Sequence, residues 1–327
     1  MNTKTNILVI GGNGFLGNEL VRLLKQKGYE NVTVLSRNLP LTLLPGVRYE
    51  QGDISRPGTL EKGFFGQEIV VNCSGLVSFW KKDRQKLLEI NGHGAQNVLW
   101  MSEKTPTVQR LLHVSSTAAL GFSEAHIHEE TQFDWEKWRK KLPYSYSKHF
   151  PNAHIRTSRL PTNIVFPSLI IGPGDPENTG KILKYVQRKK ILTPPGKNSI
   201  IDVRDVAEAI VRVLLSAREK EDFILAGHTL SFAEIMHIAR HSLQQENTII
   251  HLPQIQRTLV RALGTFGEHL GAPIASETLF LSFCERKHLG KKIRELGFSP
   301  QFSPLDSFRD FVNQKTENPF LSGESYV

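Results

Sequence analysis

Two cysteines in 327 residues are too few for a disulfide framework, so Cys73 and Cys284 read as reduced thiols. Apolar runs fall far short of the roughly 20 residues that cross a bilayer, and one of the longer ones, Ile164 to Ile171, is broken by Pro167. The start, Met1 to Asn6, lacks the basic stretch and long apolar core of an export signal. Internal repeats and low-complexity tracts are missing, and beyond net charge there is no nucleic-acid motif. The expectation is a cytoplasmic protein with no transmembrane segment, no nucleic-acid partner and no metal.

What is present is ordinary for a globular chain: 39% hydrophobic and 22% charged residues, with 25 Gly and 17 Pro. The length suits two domains, or one large α/β unit with an appended lobe. A net charge of +9 would suit nucleic acid, an anionic membrane surface or a phosphorylated ligand, but the basic residues look scattered among acids and read as a solvated surface.

Short β-branched runs at Ile7 to Ile10, Val32 to Leu35, Ile69 to Val71, Leu111 to Val114 and Ile164 to Ile170 are spaced widely enough for crossover helices. That pattern predicts an α/β fold: a Rossmann-type doubly wound parallel sheet with a smaller, mainly helical C-terminal substrate lobe. Residues 1–170 form the dinucleotide-binding core, with 200–225 returning to it; 171–199 and 226–312 form the lobe, and 313–327 a frayed tail. Helical spacing marks 14–27 and 205–215, then 231–243, 255–270 and 285–296 in the lobe.

The first strand runs into Gly11-Gly12-Asn13-Gly14-Phe15-Leu16-Gly17, a G-x-x-G-x-x-G turn between strand and helix. Gly11 lets the chain turn, Gly14 lets backbone N–H groups approach a pyrophosphate, and Gly17 lets helix and strand close on each other. The second strand ends at Ser36-Arg37, without the acid that would accept from a ribose 2′-hydroxyl. Arg37 instead offers forked donors to a 2′-phosphate, which favours NADP(H), with NAD as the alternative. Asp53, followed by Ile54, either accepts from the adenine amine or caps its own turn. The expected cofactor contacts are thus Gly11, Asn13, Gly14, Phe15, Leu16, Gly17, Arg37, Asp53 and Ile54.

A strand ending at Val114 delivers Ser115-Ser116-Thr117, and 28 residues beyond Ser116 comes Tyr144-Ser145-Tyr146-Ser147-Lys148. On a helix, positions i and i+4 share a face, so the Lys148 ammonium can lie near the Tyr144 phenol and favour its phenolate. A phenol so tuned serves as acid or base near neutral pH, and Ser116 could hydrogen-bond the same substrate oxygen.

These residues resemble the extended short-chain dehydrogenase/reductase family, in its epimerase/dehydratase, 3β-hydroxysteroid dehydrogenase and dihydroflavonol reductase-like branch. Besides the glycine turn, the likeness rests on Asn91-Gly92-His93-Gly94-Ala95, Pro167 to Asp175, Asp202 to Ala207 and Arg294 to Pro300. It implies that Ser116, Tyr144 and Lys148 are the catalytic triad, that Lys148 also bonds the nicotinamide ribose, and that Ser74, Gly75 and Pro167 line the cofactor. Two departures stand out. Phe166 replaces the arginine of the family's R-P-S segment, and Pro151 follows Lys148 closely enough to shorten or kink its helix.

The aromatic pair Phe79-Trp80 could cover an apolar substrate or pack in a core, ahead of the charged turn Lys81-Lys82-Asp83-Arg84. The stripe Ile255, Leu259, Leu263 and Leu270, with Arg257 and Arg261 opposite, either packs on the lobe, the expected outcome, or lies on a membrane surface or partner. The functional expectation is an NADP(H)-dependent oxidoreductase interconverting a carbonyl and a hydroxyl on a small, partly apolar substrate, with a homodimer as the candidate assembly. A nucleotide-sugar epimerase or dehydratase holding NAD is the alternative, and a nonenzymatic NADP(H)-responsive binding protein the second.

Overall fold

The computed structural model describes residues 1–317, apart from 41, 124, 247, 272 and 273. Its strands are β1 (Ile7–Ile10), β2 (Val32–Ser36), β3 (Val47–Gln51), β4 (Ile69–Asn72), β5 (Arg110–Val114), β6 (Thr162–Pro167), β7 (Leu169–Ile171), β8 (Lys190–Thr193), β9 (Lys197–Asp202), β10 (Asp222–Leu225), β11 (His228–Ser231) and β12 (Thr248–His251). Every residue of β1, β4, β5 and β6 is buried, which is why each carries a continuous apolar stretch, such as Ile7–Ile10 and Ile69–Val71, rather than an alternation. Seven strands form one sheet in the order β10-β6-β5-β4-β1-β2-β3, with each neighbouring pair parallel. The winding reverses between β1 and β4, where Ile10 stands beside both Leu35 and Asn72. In a doubly wound sheet a ligand crevice opens at that reversal, off the carboxyl ends of the strands.

Helices cover both faces. Phe15–Gln26 and Val203–Leu215 lie on one side, their Leu20, Leu24, Val206 and Ile210 packed with Ile7 and Val9. On the other, Ala95–Lys104 and Asn152–Thr157 supply Val98 and Ile155 to a cluster with Leu8, Ile10 and Phe166. Phe166, in the place of an arginine, is wholly buried there; the polar contact is exchanged for apolar burial worth about 1.5 to 3 kcal/mol.

A second core joins Ile171, Leu183, Ile191, Ile200, Ile235 and Phe308, built on the small sheets β11-β9-β7 and β12-β8. Asp202 and Asp205 fasten it to the large sheet. Asp202 caps the helix Val203–Leu215 and accepts from Ser307, while Asp205 accepts from the backbone of Gln301 and Phe302.

Three expectations are corrected. The run 164–170 is two strands, because Pro167 has no N–H to continue the ladder and β7 leaves for the small sheet. The helix expected over 285–296 forms only at Lys291–Glu295; Glu285 and His288 are held instead in isolated bridges to Lys197 and Ile127. Residues 313–317, expected to fray, continue the helix Pro304–Glu317, and 318–327 lie outside the described residues. Among the described residues no helix is long and apolar enough to cross a membrane.

Candidate active site

The glycine turn works by close approach. Gly11 leaves β1 at φ +76°, and a Cβ there would stand 2.9 Å from the Ser74 backbone. A Cβ on Gly17 would stand 2.2 Å from the Gly11 carbonyl oxygen, so only hydrogen fits. These approaches bring the start of the helix Phe15–Gln26 over the ends of β1 and β4. Gly14 precedes that helix with no side-chain cap, so its first-turn N–H groups remain available to an anion. Leu16 is buried in the core and Phe15 half-buried against it.

Asn13 ties the turn to the end of β2, its Nδ2 donating to Ser36 Oγ at 2.7 Å and to the Asn38 carbonyl at 2.6 Å. Next to that tie, Arg37 is exposed; its carbonyl accepts from Gln51, while its guanidinium has no hydrogen bond or ion pair among the described residues. Asp53 does cap its own turn, accepting from the Ser55 N–H and Oγ, both at 2.9 Å. Ile54 is buried against Gly94, with its carbonyl held by Asn97. Past β4, the Asn72 carboxamide oxygen accepts from the Ser74 N–H and hydroxyl. At Gly75 a Cβ would stand 2.9 Å from Lys148 Nζ and 3.2 Å from Asn91 Oδ1. Pro167 is buried at the end of β6.

The turn, the end of β4 and the Tyr144–Lys148 segment therefore meet. Pro143–His149 is one short helix, with Pro143 at its first turn. Phe150 and Pro151 keep helical dihedrals, and a new helix starts at Asn152. The proline thus ends the ladder after Phe150, whose N–H still donates to the Tyr146 carbonyl, and leaves Tyr144 and Lys148 one turn apart.

Ser116 is extended and accepts from the Ala118 N–H at 3.2 Å, and its hydroxyl acts on the Tyr144 phenol to favour the phenolate. The Tyr144 ring is buried beneath Phe79, centroids 4.8 Å apart. Lys148 Nζ donates to the Val114 carbonyl at 3.2 Å. The expected lowering of the phenol by Lys148 is overturned: burial pushes Tyr144 up to about 12, the Glu277 charge adds to the rise, and the Ser116 hydroxyl only partly offsets it. Burial also drives Lys148 down to about 8. Beside it, burial and then the Lys148 charge take His113 to about 3. The neutral His113 ring accepts from Asn72 through Nδ1 at 3.2 Å.

Two residues matter more than the sequence suggested. Asn91 brackets the covering loop, accepting from Leu76 N–H at 2.7 Å and donating to the Leu76 carbonyl and Ser147 Oγ, both at 2.9 Å. Glu277, from the helix Ser276–Ser282, was missed. Wholly buried, it accepts from Tyr144 N–H and Ser145 N–H, both at 3.0 Å, and from Ser145 Oγ at 2.6 Å. Burial raises it to about 7 against those hydrogen bonds. With 133 positions between partners, no local pattern could have revealed it.

The family model for the NAD dependent epimerase/dehydratase family matches residues 7–226. A putative dihydroflavonol 4-reductase from Synechocystis is 31% identical over 208 residues, 61% of this chain and 60% of that relative's length. The ceramide reductase of Caulobacter vibrioides is 26% identical over 256 residues, covering 76% of this chain and 73% of the relative. Among solved structures, the dTDP-glucose 4,6-dehydratase DesIV from Streptomyces venezuelae, with NAD and TYD bound, superposes with a TM-score of 0.77 at 22% identity, covering 97% of this chain and 98% of its own. The match runs from the first strand to the tenth, through every segment that meets at the crevice, and on it the chain belongs to the NAD dependent epimerase/dehydratase family, in the extended short-chain dehydrogenase/reductase branch, as an NAD(P)-dependent oxidoreductase.

Proposed function

We propose that this enzyme uses NADP(H) to interconvert a carbonyl and a hydroxyl on a small, partly apolar substrate in the cytoplasm, running toward the alcohol near neutral pH. The observation that carries the reading is the buried Tyr144 ring beneath Phe79, one turn before Lys148 on the same helix. When bound, the reduced nicotinamide supplies a hydride to the substrate carbon. Tyr144 gives the substrate oxygen its proton, and Ser116 donates a hydrogen bond to that oxygen. A phenol pushed up to about 12 is protonated at pH 7, which suits an acid in reduction. Lys148, at about 8, is charged at pH 7 and helps return the proton once Tyr144 has given it up.

The residues fit a dinucleotide: Gly11 to Gly17 for the pyrophosphate, Ser74, Gly75 and Pro167 beside the nicotinamide half, and Asp53 and Ile54 toward the adenine. Arg37, exposed and without a partner among the described residues, supports a 2′-phosphate. Phe79 above Tyr144 supports an apolar substrate, as do the relatives named for flavonoid and ceramide reduction.

The test begins with the nucleotide retained on purification. Exchangeable NADPH is expected; tightly held NAD would move the reading to an epimerase or dehydratase. On a carbonyl compound that is turned over, Tyr144→Phe should lower the rate by about 10²- to 10⁴-fold with little change in NADPH affinity. Tyr146→Phe is the control, since its ring lies against Trp135, His149 and Phe150 instead. An unimpaired Tyr144 variant would overturn the assignment.

A further inference from the structure

The helix Arg257–His269 does pack on the lobe, but not with the stripe that marked it in the sequence. Its inner face is Val260 and Gly264, set against the helix Ser276–Ser282, where a Cβ on Gly264 would stand 3.3 Å from Ser276 and Leu279. Glu268 lies on the same side, accepting from Ser276 N–H at 3.1 Å and Lys81 N–H at 2.8 Å, and Thr265 Oγ accepts from Lys81 Nζ at 2.8 Å. The outer face is Leu259, Leu263, Phe266 and Leu270, between 50% and 73% exposed, with Ile274 at 41%. Spacings of three and four place these four side chains in one line along the helix.

Positive charge collects beside that line. Residues 137 to 141 read Lys-Trp-Arg-Lys-Lys. Arg261 lies over the Trp138 ring at 5.6 Å and Lys141 at 5.0 Å, so the run and the helix are neighbours. Lys81, bonded to the helix, and exposed Lys82 extend the basic rim. The nearby acids are already engaged: Glu136 with Arg139, Asp83 with Ser78, and Glu268 with backbone N–H groups.

We propose that the helix Arg257–His269 and the basic run 137–141 form a peripheral docking face for an anionic lipid bilayer, which the protein touches without crossing. Large apolar side chains in a single line rimmed by lysine and arginine are the chemistry of an interfacial helix, and neither signal alone gives firm membrane binding. A second copy of the chain is the poorer occupant, since it would set two +9 molecules face to face, whereas an anionic surface complements the basic rim. The docking stands independently of the proposed reaction. Through Lys81 the helix holds the loop whose Phe79 covers Tyr144, so the bilayer would lie beside the mouth of the site, where an apolar substrate could enter.

The test is flotation of the full chain with phosphatidylcholine vesicles, with and without phosphatidylglycerol. The protein should float only with the anionic vesicles and be released by high salt. Leu263→Asp with Phe266→Asp should abolish flotation while NADPH titrates as in the parent protein, and Lys140→Ala with Lys141→Ala should weaken it by about 30-fold. Failure of the parent protein to float, or equal flotation of the Leu263 and Phe266 double variant, overturns the proposal. A dimer in size-exclusion chromatography that the same double variant dissolves, without flotation of either, assigns the face to a second copy and overturns it too.

Discussion

The nucleotide-binding half and the C-terminal lobe build their share of the site by different means. The first relies on main chain: Gly11 and Gly17 are required because backbone meets backbone, and the free donors are N–H groups of a helix start. The second relies on side chains reaching across the molecule, Glu277 onto the Tyr144 segment and Glu268 and Thr265 onto Lys81 of the covering loop. Main-chain devices leave a compact motif in the sequence. Side-chain devices leave none, because a carboxylate that caps a distant helix looks like any other glutamate until the fold is known.

Three substitutions would sharpen that contrast. The largest effect should come from Gly17→Ala. Its Cβ would meet the Gly11 carbonyl oxygen at 2.2 Å, and since both partners are backbone the turn must open. We expect a loss of stability at the upper end of the roughly 1 to 3 kcal/mol typical of overpacking, with nucleotide affinity lost as well. Calorimetry and NADPH titration check it, and a variant with normal melting and binding would mean the approach is looser than described.

Glu277→Gln addresses the lobe. The folded protein holds this carboxyl at about 7, above its ordinary 4.5, chiefly by burial. The stability tied to its protonated form is fully present below about pH 4.5 and is lost as the pH rises through about 7. The glutamine variant has no proton to lose there, so its stability relative to the parent should climb across that window and level off above it. Thermal unfolding at several pH values measures this. A difference independent of pH would show that Glu277 is ionised throughout and held by the Tyr144 and Ser145 donors.

The smallest of the three is Arg37→Ala, which returns to the first half. Only NADPH carries a 2′-phosphate, and a charge-assisted hydrogen bond is worth about 1.5 to 3 kcal/mol. The NADPH-to-NADH affinity ratio should fall roughly 10- to 150-fold. Equal loss for both nucleotides would remove the proposed preference.

Much of the fold was legible because fully buried parallel strands write themselves as apolar runs; β1 and β2 fall where the runs are. The split at Ser168 and the short helix at Lys291–Glu295 were not, since both depend on which partner strand is at hand. Within the candidate site, spacing marked Ser116, Tyr144 and Lys148, and the structure sets Tyr144 and Lys148 one turn apart on a single short helix. The direction in which Tyr144 is tuned was not, because helical spacing says that an ammonium is near and nothing about how dry the phenol is. Asp53 kept two chemistries open, and the structure realises the turn cap. The run Lys137 to Lys141 escaped notice because Trp138 divides it and Glu136 precedes it; only the stacking of Arg261 and Lys141 on that tryptophan shows the charges gathered on one patch.

The helix that carries Tyr144 and Lys148 spans seven residues, and Pro151 denies it a longer run in which to gain stability. A helix this short does not hold itself together in water, so it depends on what docks against it. Glu277 supplies hydrogen-bond acceptors at its first turn from 133 positions downstream. As the chain leaves the ribosome, the glycine turn and the first six strands have all been made before residue 277 exists. The nucleotide fold can therefore form early, while the geometry around Tyr144 is completed only when the lobe arrives. A growing or truncated chain would be able to hold a dinucleotide long before it could act on anything with it.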